Sequence, residues 1–245
     1  MLLLLATFPA CNRSEPGGLI DVPAGVTTLQ PFASHFIGSF CAEPSGLVYN
    51  PRNNTLFVVS DSHSEIYEMS LDGKLQKTIT TTSTDLEGVG LSITGDTLYI
   101  AEERNRKITL YNLTGVKLSS FSADVATLAN NGLEGVSAGK GGNIYVLNEK
   151  MPGMLLEYLP NGIEVRRVEL ALASDYSDIM YSPSEDCLWI ISDESRKVMK
   201  TDLNGALIKQ WALTFEKGEG IAIVRDTMYV VNDADAKLYL FIAPK

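Results

Sequence analysis

The sequence has few of the side chains that bind transition metals or form hydrolytic triads. It contains two histidines and three cysteines among 245 residues. The histidines, His35 and His63, belong to no serine–histidine–acid pattern, which disfavours a triad hydrolase. The cysteines are widely separated and match no zinc or iron–sulfur spacing. A metal site in this chain would therefore have to be built from oxygen ligands.

Basic residues are also scarce. Twenty lysines and arginines stand against thirty aspartates and glutamates, so the formal net charge is −10. Nucleic-acid binding needs clusters of basic residues that displace the counterions of phosphates, so we expect no nucleic-acid partner. The excess of acid is compatible with cation binding, although much of it would serve as solubilising surface.

No hydrophobic run is as long as the ~20 residues that a membrane-spanning helix needs. The most apolar stretch, "MLLLLATFPAC" (1–11), ends on Cys11 and is followed by the polar "NRSEPGG". This pattern indicates a bacterial lipoprotein signal in which Cys11 is lipidated; a plain secretory signal is the alternative. Either interpretation predicts the periplasmic side of the cell envelope. The lipid anchor would be the only contact with the membrane.

The other two cysteines, Cys41 and Cys187, could form a disulfide in that compartment. Sequence gives no distance between them. Two buried free thiols are the default expectation, because unpaired cysteine behaves as a small apolar residue.

Two sets of regularly spaced residues show that the chain is a repeat. Tight-turn glycines at Gly73, Gly115, Gly162 and Gly205 follow one another at intervals of 42, 47 and 43 residues. A second set opens an apolar run in each unit, at intervals of 42, 47, 43 and 42 residues. These openers are Ser45-Gly46, Glu87-Gly88, Glu134-Gly135, Ser177-Asp178 and Glu219-Gly220. Because both sets lengthen at the same unit, the repeat is not a coincidence of composition.

Each unit is predicted to form four antiparallel strands, since it contains short runs rich in Val, Ile, Tyr and Leu separated by turn residues. This pattern is typical of a β-propeller blade, and the chain holds five such units over residues 32–245. The last unit ends before its fourth strand, which "FASHFIGSF" (32–40) can supply. A sixth blade would need strands from 12–31, a segment rich in Gly and Pro that we assign as a linker. The fold prediction is therefore an all-β, five-bladed propeller closed by an N-terminal strand.

Acidic residues recur at the two positions that such a fold brings together. The first strand of a blade lines the central channel, and the second strand ends beside the start of the first. The openers Glu87, Glu134 and Glu219 are thus predicted at the channel mouth, with Ser45 and Ser177 completing the ring. A secondary acidic ring is predicted from the ends of the second strands and the neighbour of Ser177. Its members are Asp61, Glu103, Glu149, Asp178, Asp193 and Asp233.

Carboxylates drawn together raise one another's pKa or recruit a cation. Hard oxygen ligands without clustered His or Cys favour calcium, and magnesium less so. We therefore predict calcium bound by Glu87, Glu134 and Glu219. The competing interpretation, which is strong for the outer ring, is that strand-end acids solvate loops or accept hydrogen bonds from turns. The glycine after each opener is expected to let neighbouring backbones approach.

Three stretches resemble the SdiA-regulated family of extracytoplasmic β-propellers, namely 43–75, 85–113 and 176–208. The ordered set of openers carries the resemblance: an SGL-type opener, two EG openers, an SD opener and a final EG. The family is similar in design to NHL-type propellers and to calcium-dependent lactonase and phytase propellers. The resemblance covers roughly 32–245 and implies a membrane-associated or periplasmic propeller with a calcium site. It implies no established activity. The matching openers here are Glu87, Glu134 and Glu219, with Ser45 and Asp178 in the remaining blades.

Three hypotheses about function follow. The first is a lipid-anchored propeller that binds calcium at the channel mouth and presents that face to a small ligand or an envelope protein. The second is a calcium-dependent hydrolase of the lactonase or phosphoesterase type, in which the metal polarises a carbonyl or phosphoryl oxygen and a free carboxylate acts as base. Asn148, Asn232 and Glu149 keep this second hypothesis open, because lactonase metal sites mix Glu, Asn and Asp. The third is a structural scaffold with a bound ion.

Overall fold

The computed structural model describes residues 25–125 and 131–245. The predicted signal segment 1–11, with Cys11, and most of the predicted linker 12–31 lie outside the described residues. Within the described ranges the secondary structure consists of 21 β-strands and one short 3-10 helix, Lys140–Gly142. No helix in these ranges is long and apolar enough to cross a bilayer.

The strands follow one another at the regular intervals that the repeat predicts. They are β1 (Thr27–Thr28), β2 (Ala33–Phe36), β3 (Pro44–Asn50), β4 (Thr55–Ser60), β5 (Glu65–Ser70), β6 (Leu75–Thr80), β7 (Leu86–Leu91), β8 (Thr97–Glu102), β9 (Lys107–Asn112), β10 (Lys117–Ser122), β11 (Leu133–Ala138), β12 (Ile144–Asn148), β13 (Met154–Tyr158), β14 (Glu164–Glu169), β15 (Asp178–Ser182), β16 (Cys187–Ser192), β17 (Lys197–Thr201), β18 (Leu207–Ala212), β19 (Gly218–Val224), β20 (Thr227–Asn232) and β21 (Lys237–Ile242).

These strands form five antiparallel sheets arranged in a ring. The sheets have the orders β3-β4-β5-β6, β7-β8-β9-β10, β11-β12-β13-β14, β15-β16-β17-β18 and β19-β20-β21-β2, and we number the blades one to five accordingly. The innermost strands β3, β7, β11, β15 and β19 contact one another in that order, and β19 contacts β3. The five-bladed propeller predicted from the sequence is confirmed. We call the face where the innermost strands begin the upper face, and the face where they end the lower face.

The core lies between neighbouring blades, which explains the unbroken apolar runs in the second strands. Every residue of β4 is buried, because its two faces pack against different blades. One cluster contains Leu47 and Val58 of blade one together with Val231 of blade five. Another stacks Trp189 on Trp211, with ring centroids 5.2 Å apart, against Phe241 of the next blade. Burial of this apolar surface holds the ring together.

The N-terminal strand closes the ring as predicted. β2 pairs antiparallel with β21, with Ala33 opposite Leu240 and Phe36 opposite Lys237. Blade five therefore takes one strand from the start of the propeller and three from its end. This arrangement pairs the edge of β21 that would otherwise be exposed.

The predicted linker contains one short element that the sequence did not predict. Thr27 and Thr28 form β1, which pairs parallel with Trp211 and Ala212 at the outer edge of blade four. Leu29 follows directly and packs into the cluster that holds the stacked tryptophans. An exposed sheet edge next to an apolar anchor explains why this stretch is ordered as a strand. It widens blade four to five strands and adds no sixth blade.

The turn glycines and the cysteines behave as the sequence predicts. Gly73, Gly115 and Gly205 have φ of 76°, 84° and 79°, a region that favours glycine. Cys41 and Cys187 are both buried and both free thiols. Burial raises the pKa of the Cys187 thiol to about 11, which keeps it protonated and unreactive at neutral pH.

Candidate metal centre

Carboxylates converge on the upper face because two strand ends of every blade meet there. In blade two, Leu86 at the start of β7 pairs with Glu102 at the end of β8, and in blade three Leu133 pairs with Asn148. The residue after each second strand therefore lies beside the opener of the same blade. These positions surround a cavity of about 300 Å³ at the axis. The carboxylates that line it are Glu43, Asp61, Glu87, Glu103, Glu134, Glu149, Asp175, Asp193, Glu219 and Asp233. We call this space the acidic cavity.

Eight of the nine carboxylates predicted from the sequence line the acidic cavity. The three opener glutamates are among them, as are the five acids that follow the second strands. The opener hydroxyls of Ser45 and Ser177 also line it. The structure therefore places the two predicted rings around one space.

The glycine after each opener lets the innermost strands come close enough for this convergence. A Cβ added at Gly88 would lie 2.1 Å from the backbone oxygen of Glu134, and one at Gly46 would lie 2.6 Å from the backbone oxygen of Glu87. Contacts that short do not occur, so any side chain would force the strands apart. The openers of blades one to three are thus held together by backbone packing, as predicted from the sequence.

The ninth predicted residue, Asp178, occupies this glycine position in blade four and does not line the acidic cavity. Its carboxylate is fully buried and accepts hydrogen bonds from the backbone amides of Leu47, Ile179 and Ile221 at 3.3, 2.8 and 2.9 Å. Successive side chains of a strand point in opposite directions, so the residue after an opener faces the neighbouring strands. Burial raises the pKa of Asp178, although the three amide hydrogen bonds act to lower it. We therefore separate Asp178 from the acidic ring to which the sequence assigned it.

Two groups of three carboxylates are close enough to share a cation. In one, oxygens of Asp85, Glu87 and Glu103 lie within 4.8 Å of one another; in the other, oxygens of Glu103, Glu134 and Glu149 do. Glu103 belongs to both groups. The carboxylate density is therefore greatest between blades two and three.

The pKa values of these carboxyls show how unfavourable their charges are in the absence of a cation. Burial, followed by the charges of neighbouring carboxylates, raises the pKa of Glu87 to about 9. The same two causes raise the pKa of Glu134 well above its ordinary value. Burial also raises the pKa of Glu103 and of Glu149. At neutral pH the cluster must either hold protons or bind a cation.

One oxygen in the cluster has no partner inside the protein. Oε1 of Glu149 lies 2.7 Å from Nζ of Lys150, whereas Oε2 is buried and accepts no hydrogen bond. A buried carboxylate oxygen without a partner is costly, since its desolvation is not compensated. Glu149 is therefore the member of the second group that gains most from an added ligand.

The third opener glutamate lies in a different environment. Nζ of Lys217 is 3.5 Å from Oε1 of Glu219 and 2.7 Å from Oδ2 of Asp193. Burial and then the charge of Asp193 raise the pKa of Glu219 to about 8, while Lys217 acts to lower it. Among the described residues, Glu219 belongs to no group of three carboxylates. An ammonium group thus neutralises the side of the cavity formed by blades four and five.

Sequence reasoning missed a third set of positions, of which Glu43, Asp175 and Lys217 line the acidic cavity and Asp85 belongs to the first carboxylate group. Two residues before each opener stand Glu43, Asp85, Asp175 and Lys217, with Gly132 at this position in blade three. In three blades the backbone oxygen at this position accepts a hydrogen bond from the amide of the acid that follows the second strand: that of Asp85 from Glu103 at 3.2 Å, that of Gly132 from Glu149 at 2.9 Å and that of Lys217 from Asp233 at 3.0 Å. The common offset from the opener was visible in the sequence. These positions precede the strands and so fall outside the strand pattern, with φ of 62° for both Asp85 and Lys217.

The two asparagines considered as metal ligands do not line the acidic cavity. The side-chain amide of Asn148 donates to the backbone oxygen of Pro152 at 2.8 Å, and that of Asn232 donates to the backbone oxygen of Glu216 at 2.5 Å. The first side chain fixes the loop that follows β12, and the second fixes the loop between β18 and β19. The mixed Glu, Asn and Asp set of lactonase metal sites is therefore not reproduced by these residues.

The family assignment rests on a match over nearly the whole propeller. The model of the SdiA-regulated family matches residues 34–244. The chain belongs to the SdiA-regulated family. The match begins within β2 and ends after β21, so it covers all five blades.

Solved structures with the same architecture share little sequence with this member of the SdiA-regulated family. A catalytically inactive virginiamycin B lyase from Staphylococcus aureus with quinupristin is 15% identical, with a TM-score of 0.53 over 81% of this chain and 66% of the lyase. A nidogen/laminin complex structure is 16% identical, with a TM-score of 0.58 over 78% of this chain and 73% of the other. The chain thus spans just under two thirds of the lyase. At this identity the likeness shows the propeller fold alone.

The acidic cavity of this SdiA-regulated protein is suited to hard divalent cations. Calcium takes 6–8 oxygen ligands in flexible geometry, whereas magnesium demands a near-ideal octahedron and keeps several waters. The second carboxylate group, together with solvent in the cavity, offers oxygens of this kind. Glu103, Glu134 and Glu149 are the residues that could hold such an ion.

Proposed function

We propose that the protein is an extracytoplasmic binding module, lipid-anchored at Cys11, that holds Ca²⁺ in the acidic cavity and presents its upper face to a small ligand or an envelope protein. The observation that carries the calcium proposal is the second carboxylate group. Glu103, Glu134 and Glu149 bring three carboxylate oxygens within 4.8 Å, and one oxygen of Glu149 is buried without a partner.

The predicted ligand set shifts accordingly. Glu134 stays a ligand, Glu103 and Glu149 of the secondary ring become ligands, and Glu87 adds charge through the first group. Glu219 is a weaker candidate, because Lys217 already neutralises its surroundings. Calcium is favoured over magnesium because the carboxylates come from three different loops and strand ends, an arrangement that fits a flexible coordination sphere.

Calcium would act on the upper face in two ways. It would neutralise carboxylates that otherwise repel one another, and it would fix the loops after the second strands of blades two and three. A ligand or partner that approaches this face then meets an ordered rim instead of a dense negative charge. The cavity volume of about 300 Å³ would be shared by the ion, its waters and part of the ligand.

The test is a calcium titration followed by thermal unfolding. Calcium at about a hundredfold over its Kd should raise the melting temperature by about 5–10 °C for a domain of this size. The double variant Glu103→Gln/Glu134→Gln should lose that rise. Glu169→Gln changes an exposed glutamate on the outer strand of blade three and should keep it.

An unchanged melting temperature of the wild-type protein with calcium would overturn the proposal. Because removal of buried charge can itself stabilise the protein, the readout is the calcium-induced difference for each variant. Metal analysis of the purified protein gives the identity of the ion independently.

The hydrolase remains the second candidate because of two cations in the cavity wall. Arg104 and Lys217 line the acidic cavity at either side of the carboxylates. The carbonyl or phosphoryl oxygen of a metal-bound ester or phosphoester would lie within reach of such groups. A free carboxylate would act as base. A panel of lactones and phosphoesters should then show turnover that a chelator removes and calcium restores. Silence across the panel would favour the binding module.

A further inference from the structure

The lower end of the channel contains a second cavity of different chemistry. Its volume is about 420 Å³, and it is enclosed by the ends of the innermost strands and the loops that follow them. Apolar side chains from four blades form much of its wall, among them Val48, Leu91, Met180 and Ile223. No carboxylate is found among the residues that line it, all of which are described. We call this space the lower cavity.

The lower cavity is independent of the acidic cavity. The two have no lining residue in common. Between them the buried carboxylate of Asp178 crosses the axis, bonded to blades one and five. Two residues further along β15, Sδ of Met180 lies 3.1 Å from the backbone amide of Ile223 and so connects blades four and five. A ligand in the lower cavity would therefore contact none of the residues that line the acidic cavity.

One of the residues that line the lower cavity, Arg225, is basic. The loop between the first and second strands is four or five residues long in blades one to four, for example 51–54 and 92–96, but only two residues long in blade five, 225–226. The tight hairpin places Arg225 at φ of 57° beside the channel. Arg225 lines the cavity and forms no ion pair in the described part of the chain.

We propose that the lower cavity binds a small amphipathic anion, an aliphatic or aromatic body that bears one carboxylate. The apolar body would lie against Val48, Leu91 and Ile223, and the carboxylate would pair with Arg225. A volume between 300 and 1,000 Å³ with an apolar wall and one placed polar group is the usual form of a small-molecule site. Charge complementarity selects the anion, because the one charged group at the site is a guanidinium that can bind a carboxylate through two parallel hydrogen bonds.

Calorimetric titration of the whole protein with decanoate tests this proposal, in the presence of a chelator so that the acidic cavity plays no part. Decanoate should bind one to one, decanol more weakly, and decyltrimethylammonium weakest of all. Arg225→Gln should weaken decanoate by about tenfold and leave decanol unchanged. Lys117→Gln makes the same charge change on the outer strand of blade two and should have no effect.

A matched pair at Ile93 separates charge from apolar contact. Ile93 lines the lower cavity and is 66% exposed, so its substitution does not disturb the core. Ile93→Glu and Ile93→Lys remove the same apolar surface, and decanoate should bind the lysine variant more tightly than the glutamate variant. Equal decanoate affinity for the wild type, Arg225→Gln and both Ile93 variants would overturn the proposal. A dimer in sedimentation that Ile93→Glu dissociates, with no decanoate binding, would overturn it in favour of a second copy of the chain.

Discussion

The two ends of the channel are built from the same five strands, yet they have opposite chemistry. At the upper end, ten carboxylates surround a cavity of about 300 Å³, and at the lower end an apolar wall with one arginine surrounds a cavity of about 420 Å³. The upper end is formed by the starts of the innermost strands and the lower end by their last residues. Because loops and strand ends carry these residues, a propeller can bear two unrelated sites on one rigid ring.

The hydrogen bonds of Asp178 lie between the two ends of the channel. Their loss is expected to have the largest effect on the free energy of unfolding. Asp178→Leu removes the acceptor for the amides of Leu47, Ile179 and Ile221 and leaves them buried without partners. We expect a loss of about 3 kcal/mol or more in the free energy of unfolding, measured by urea denaturation. Asp178→Asn keeps one acceptor oxygen and should lose clearly less. Equal stability of Asp178→Leu and the wild type would show that the amides find other partners.

The glycines that hold the upper end together give the next largest effect. A Cβ at Gly88 meets the backbone oxygen of Glu134, which cannot move aside as a flexible side chain could. Gly88→Ala should destabilise the protein by about 2–3 kcal/mol and weaken calcium binding, since the openers are pushed apart. Gly218→Ala is the control, because φ of Gly218 lies outside the left-handed region and its added Cβ would meet only side-chain atoms, none closer than 3.2 Å. A Gly88→Ala variant with wild-type stability and calcium affinity would contradict the packing argument.

The dependence of stability on pH should distinguish the acidic end from the rest of the molecule. Glu87 and Glu219 have pKa values of about 9 and about 8 in the folded protein, above the ordinary 4.5 of the unfolded chain. The folded state therefore binds these protons more tightly. The contribution is fully present below pH 4.5 and is lost as the pH rises through 8 to 9.

In a chelator, the melting temperature should accordingly fall between pH 5 and pH 9, by about 2–4 °C for each kcal/mol lost. Glu87→Gln should flatten this fall, and so should calcium, because the cation replaces the protons. The control variant Glu169→Gln should reproduce the wild-type slope. A wild-type melting temperature that is constant over this range would mean that the carboxyls are not protonated in the folded state.

Replacement of Lys217 is expected to have the smallest effect, a change in calcium affinity. It tests the difference between the two sides of the acidic cavity. Lys217→Gln removes the ammonium group beside Asp193 and Glu219. Calcium should then bind about two- to threefold more tightly, since the pair is partly exposed and screened by solvent. Calorimetry measures the change, and Lys237→Gln, which removes an ammonium paired with Asp235 outside the cavity, is the control. Weaker calcium binding by Lys217→Gln would show that Lys217 organises the site instead of competing with the ion.

The fold could be predicted because it depends on periodic features. The spacing of the opener glycines and of the turn glycines fixes the number of blades, and the missing fourth strand after β21 indicates that residues 32–40 close the ring. The convergence of Glu87 and Glu134 follows from the same geometry. Each of these conclusions uses positions along one strand, which a sequence displays directly.

The other features of the two cavities depend on contacts between blades, which are not visible in the sequence of a single repeat unit. Asp178 looked like another rim acid, but its side chain faces the neighbouring strands because it replaces a glycine at the tightest approach of the backbones. Glu219 looked equivalent to Glu134 until the structure placed Lys217 beside it. The lower cavity depends on a hairpin at 225–226 that is shorter than its counterparts, and only the assembled ring shows which space that leaves open.

The closure of blade five also constrains how the chain reaches its folded state. β2 pairs with β21, and eighteen other described strands lie between the two along the chain. During synthesis, β2 stays unpaired until the intervening strands and β21 itself have been made. Contacts between distant parts of the sequence slow folding. Blade five of such a ring therefore stays incomplete, and accessible to chaperones or proteases, until β21 has been made.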